Sequence, residues 1–89
     1  MNVHNMPSSK TGKPVANQFV INDDNGNTFF QSYNRIIVKK NFDGIFLDVE
    51  TWNYSRTTSK YRSLFLGENT EATREKIKAG LYKLVNLNK

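Results

Sequence analysis

Two Asx-Gly dipeptides, Asn25-Gly26 and Asp43-Gly44, each stand between short runs rich in β-branched and aromatic residues. This dipeptide is the strongest short-range hairpin signal, because a tight type I′ turn needs positive φ at both central residues and glycine reaches it without strain. The runs Gln18–Asn22, Thr28–Tyr33, Arg35–Lys40 and Ile45–Glu50 then read as four consecutive strands of an antiparallel meander. In the last of them Ile45, Leu47 and Val49 alternate with Phe46, Asp48 and Glu50, which predicts that the first three face the core and the second three the other side.

After the strands the apolar period lengthens. Tyr61, Leu64 and Phe65 keep i, i+3, i+4 spacing, Ser55 or Thr57 can cap a helix start, and Gly67 suits the left-handed residue after its end. Asn69 or Thr70 can cap a second helix with Glu71 in its first turn, Lys76 and Lys78 in its last, and Gly80 beyond, charges that complement the helix dipole. Leu81–Leu87 reads as a final strand, and the expected core is Phe19, Ile21, Phe30, Ile37, Ile45, Leu47, Val49, Trp52, Leu64, Phe65, Ile77, Leu84 and Leu87. Residues 1–16 mix Ser, Asn, Gly, Pro and Lys with few large apolar side chains and read as a flexible tail. The expected fold is α+β: an antiparallel sheet of four to five strands, two short helices after strand four, and that tail ahead of one domain over residues 17–89.

Composition narrows the function more by exclusion than by assignment. With 89 residues there is room for one small domain. The absence of cysteine removes disulfides, thiolate nucleophiles and Cys-based zinc sites. The one histidine, His4, lies in the expected tail, so no Ser-His pair can be assembled from the expected domain. Asp23, Asn25 and Asn27 mimic the start of a calcium loop, but the glycine is fourth rather than sixth and Asn34 stands where the bidentate glutamate belongs. Asp43, Asp48 and Glu50 would suit a metal-dependent nuclease only with a lysine where Trp52 stands, so Asp48 and Glu50 read as solubilising charges. A non-enzyme without cofactor or metal is therefore expected. No apolar run approaches the ~18 residues of a membrane span, and a cytoplasmic location follows as the expectation. Thirteen Lys and Arg against eight Asp and Glu leave a net charge of +5, which favours anionic partners.

The segment Thr51–Leu66 concentrates what binding chemistry there is. Arg56, Lys60 and Arg62 stand with no acidic residue between Glu50 and Glu68, interleaved with Trp52, Tyr54 and Tyr61 and flanked by the hydroxyls of Thr57 and Thr58. Such a mixture can neutralise phosphates, stack bases and donate to phosphate oxygens. The same three aromatics also read as core or hinge residues with the charges solvating an outer face, the commoner place for aromatics at strand and helix spacing. A helix-turn-helix alignment on Gly67 puts Arg62 and Lys76 where apolar residues belong.

The stretch Trp52-Asn53-Tyr54-Ser55-Arg56-Thr57-Thr58, followed by Phe65-Leu66-Gly67, resembles the W-x-Y-S-x-T-T signature of a small bacteriophage and prophage family of unknown function. Phe30–Asn34 and Val85–Asn88 extend the likeness, while Val38-Lys39-Lys40 departs from it where a small residue is expected. The resemblance implies a phage origin and a small accessory role; it brings no catalytic residues. Two readings follow. One is a nucleic-acid-binding module working through Trp52, Tyr54, Arg56, Thr57, Thr58, Lys60, Tyr61 and Arg62. The other is an inhibitor or adaptor that docks on a host or anti-phage-defence protein in the host cytoplasm through the same aromatic and arginine anchors. An exposed sheet edge also leaves room for a homodimer.

Overall fold

A computed structural model of the protein describes residues 1–8 and 10–88. It is α+β: β1 (Asn2–Pro7), β2 (Pro14–Asn22), β3 (Thr28–Ser32), β4 (Arg35–Asn41), β5 (Gly44–Asp48), α1 (Arg56–Leu66), α2 (Thr70–Lys78) and β6 (Tyr82–Val85). The six strands form one sheet in the order β1-β2-β3-β4-β5-β6. The meander expected from the sequence is β2–β5. Residues 2–7 and 14–16, expected in a flexible tail, form β1 on the edge of the sheet and the start of β2, so the helices follow strand five. Its pairing with β2 runs from Asn2↔Asn22 to Pro7↔Pro14 and carries His4 into the ladder. A polar edge strand needs only one buried anchor, here Met6, because the backbone ladder does the rest.

The sheet is mixed rather than antiparallel, since β6 pairs parallel with β5 from Ile45↔Tyr82 to Asp48↔Val85. Parallel neighbours need a crossover, and α1 and α2 supply it. The turns also differ in detail. Asp23–Asn27 is a longer loop in which the Asp23 carboxylate accepts from the backbone N–H of Asn25 and Asn27, both at 2.9 Å; of its residues Gly26 alone has positive φ, 84°.

Both helices begin at the caps the sequence offers. The Ser55 hydroxyl accepts from the Thr58 N–H at 3.1 Å and the Asn69 amide oxygen from the Ala72 N–H at 2.8 Å. Gly67 closes α1 at φ 72°, with its N–H bonded to the Ser63 carbonyl at 2.8 Å.

Phe30, Ile37, Val38 and Leu47 are fully buried beneath the helices, with Tyr61 and Tyr82 close behind. The Phe30 and Phe65 rings stack with centroids 5.8 Å apart. An irregularity at Phe30/Gln31 pairs these residues with Val38 and Ile36, leaving Ile37 as an extra residue on β4 and burying both Ile37 and Val38. The expected core is corrected by the structure: Phe19, Ile21 and Leu87 are only half-buried and stand outside the core cluster, and three more leave it. The inward positions of α1 are Thr58, Tyr61, Arg62 and Phe65, an i, i+3, i+4, i+7 stripe that leaves Leu64 outside it and 45% exposed. Leu84 lies on the edge strand, and Val49 lies in the turn after β5; both are exposed.

Asp48 is corrected too. It is buried, not solvating: its carboxylate accepts from the Thr51 hydroxyl at 2.6 Å, the Thr51 N–H and the Leu87 N–H, both at 3.0 Å. Burial on its own would raise this carboxyl, but those bonds outweigh it and hold the pKa below the ordinary value.

Candidate nucleic-acid interface

The Trp52–Arg62 segment divides once folded. Thr58, Tyr61 and Arg62 point into the protein, so these three are not available to a ligand laid on the surface. Thr58 shares a 2.9 Å hydrogen bond with Ser32 beneath the helix. The Arg62 guanidinium donates to the Trp52 carbonyl, to Asn53 Oδ1 at 3.3 Å and to Thr70 Oγ1 at 2.6 Å. It ties the post-β5 turn to the start of α2. Burial, with Arg74 nearby, lowers its pKa, yet arginine remains cationic. Trp52 is half-buried, with the guanidinium groups of Arg62 and Arg74 at 5.3 and 5.8 Å from its ring. Tyr54, Arg56, Thr57 and Lys60 remain exposed around the start of α1.

The continuous surface lies elsewhere. The core gathers the helices against Phe30, Val38, Leu47 and Tyr82, with Val20 and Ile45 partly buried at its margin, and by strand alternation these occupy one face of the sheet. The opposite face carries an unbroken cross-strand row, Val3–Ile21–Phe29–Lys39–Phe46–Lys83, in which each residue is the register partner of the next. Beside it runs Asn5–Phe19–Gln31–Ile36. None of these residues belongs to the core cluster.

Phe19, Ile21, Phe29, Lys39 and Phe46 are half-buried and Lys83 is exposed, the state of side chains that cover one another on an uncapped sheet. The Lys39 ammonium sits over the Phe46 ring, 5.6 Å from its centroid. No Asp or Glu stands in either row. Asp48 shares the strand parity of Phe46, but its oxygens are taken by Thr51 and Leu87.

Phe46 therefore lies where the strand alternation puts it, away from Ile45 and Leu47. Phe29 and Lys83 are not singled out by sequence, and Lys39 is so only as one of several lysines that could extend a basic face with Arg56, Lys60 and Arg62, although a signal is present. Phe29-Phe30, Ile36-Ile37-Val38 and Ile45-Phe46-Leu47 are apolar at both strand parities, so the sheet is apolar on both faces while the chain has helices enough for one. Lys39 and the exposed residues of α1 lie on opposite sides of the sheet and do not merge into one basic face. Among the described residues there is no group of three His, Asp or Glu placed to hold a metal ion, and no helix is long and apolar enough to cross a membrane.

A family model described as a family of unknown function (DUF8033) matches residues 1–80. No curated protein and no solved structure matches the chain.

Proposed function

The chain belongs to DUF8033, a family of unknown function, and from its surface we propose a small, non-catalytic nucleic-acid-binding module whose contact surface is the open face of the sheet. One observation carries the reading: Phe29, Lys39, Phe46 and Lys83 stand side by side on four adjacent strands, with no acidic residue in the row. Aromatic rings offer stacking surfaces to bases, and interleaved ammonium groups neutralise phosphates. The net charge of +5 adds an attractive field. A phage accessory role fits a module this size and is part of the proposal.

Titration of labelled oligonucleotides at several salt concentrations tests it. Affinity should fall linearly in log salt, with a slope near −1.4 if the two lysines each neutralise one phosphate of a single strand, ~0.7 per contact. Binding that is absent at low salt, or flat in salt, refutes the proposal. A second reading, docking on a host or defence protein, is favoured by the exposed Tyr54, Arg56, Thr57 and Lys60 around the start of α1, since Tyr and Arg are typical interface anchors. Retention of one defined protein, lost on Tyr54→Ala and Arg56→Ala, would support it.

A further inference from the structure

Resting on that reading, we infer that the ligand of the open face is single-stranded: its bases stack on Phe29 and Phe46 while Lys39 and Lys83 hold the intervening phosphates. The order along the row is aromatic, cation, aromatic, cation, one residue per strand. Neighbouring strands lie ~4.8 Å apart, so the two rings repeat at about 10 Å with an ammonium group between them. Lys39 already lies against the Phe46 ring, and Lys83 flanks that ring from the far side. The row is complementary to a strand running across the sheet with alternate apolar base faces and anionic linkages.

A duplex cannot use it. Paired bases keep their faces stacked inside the helix and present grooves and phosphates to a protein, so a duplex would meet the lysines and leave two phenylalanines covered by nothing they can stack on. A single strand exposes the base faces themselves, and an aromatic sheet surface is a recurring way of taking them. The second row extends the platform with Phe19, whose neighbour across β3 is Gln31, a side chain able to hydrogen-bond a base edge. At the other end Ile21 and Val3 continue the first row as apolar surface without charge. This gives the surface a polarity: phosphates are held at the β4–β6 end only. Nor does the face suit a second copy as well, because the Lys39–Lys83 end would meet its own charge or uncharged apolar surface, with no carboxylate in either row to answer it.

The experiment is a fluorescence-anisotropy titration of the full chain with an oligothymidylate of about twelve nucleotides and with a mixed-sequence duplex of the same length. It is run on the native protein and on Phe29→Leu, Phe46→Leu and Lys39→Gln/Lys83→Gln. Leucine keeps the apolar cover, and unchanged Trp52 emission reports that each variant is folded. The single strand should bind at least tenfold tighter than the duplex. Each leucine variant should weaken single-strand binding roughly 5- to 100-fold while leaving duplex binding unchanged, and the double lysine variant should weaken both and flatten the salt slope. Equal affinity for both forms, or leucine variants that bind like the native protein, overturns the single-strand inference while the nucleic-acid reading stands. Failure of either ligand to bind at low salt overturns that reading as well. A concentration-dependent dimer in sedimentation that Phe46→Glu dissociates identifies a second copy as the occupant and overturns the inference.

Discussion

Arg62 is the largest fully buried side chain, and its neighbours explain why a cation stands there. Its guanidinium bonds the Trp52 carbonyl, Asn53 and Thr70 together, so it fastens the turn after β5 to the helix pair. Arg62→Met should cost roughly 2–4 kcal/mol by urea unfolding, because it removes the hydrogen bonds to the part-buried Trp52 carbonyl and Thr70 hydroxyl, while the salt slope of oligonucleotide binding stays as it was. A slope reduced by about one contact would instead place Arg62 at phosphate.

Asp48 and Glu68 make a parallel case for pH. Burial pushes both carboxyls up, but Thr51 and Leu87 on Asp48, and Lys76, Thr73 and Tyr82 on Glu68, bring both below their ordinary values. A carboxyl lowered by folding stabilises the protein above its unfolded pKa of about 4, and that stability is lost as pH falls through the lowered folded value. Unfolding free energy should therefore drop as pH falls below about 4. In Asp48→Asn the drop should be smaller and the stability at pH 7 lower; an unchanged acid limb would refute the assignment.

Among the elements, the helix ends are the most local and the most legible. Ser55 and Asn69 are caps by residue type and by geometry, and Ser55→Ala should cost about 1 kcal/mol. Gly67→Ala should cost a comparable amount, because φ 72° is strained for any residue with a Cβ. Thermal unfolding checks both, and neither should alter oligonucleotide affinity, since α1 lies behind the sheet.

Strand β1 was illegible for the opposite reason. Its partners lie seven to twenty residues away, from Pro7↔Pro14 to Asn2↔Asn22, and its residues show no apolar alternation. Removing residues 1–7 uncovers Met6's place in the core and frees the edge of β2; the transition midpoint in urea should fall, while the Phe29–Lys83 part of the row keeps its binding. The direction of β6 was hidden likewise. Nothing in Tyr82–Val85 encodes parallel pairing, which follows from how the helices carry the chain back across the sheet.

For the whole molecule the decisive asymmetry is one helical layer against a sheet apolar on both faces. Trp52 belongs to the helical side, packed against the core between Arg62 and Arg74. Its emission should stay unchanged when an oligonucleotide saturates the open face; strong salt-sensitive quenching would move the binding surface to the Trp52–Lys60 segment. Short stretches of chain encode the β2–β5 meander, both helices with their caps, the α+β class, and the alternation that turns Phe46 from Ile45 and Leu47. These depend on backbone preferences and side-chain period, which act over a few residues. The tertiary structure alone decided which basic and aromatic residues share a surface. It drew Thr58, Tyr61 and Arg62 inward because α1 rests its 58–61–62–65 stripe on the sheet, and it lined up Phe29, Lys39, Phe46 and Lys83 because register joins residues far apart in the chain. Register and the choice of covered face are set by long-range packing, and no local window of sequence contains them.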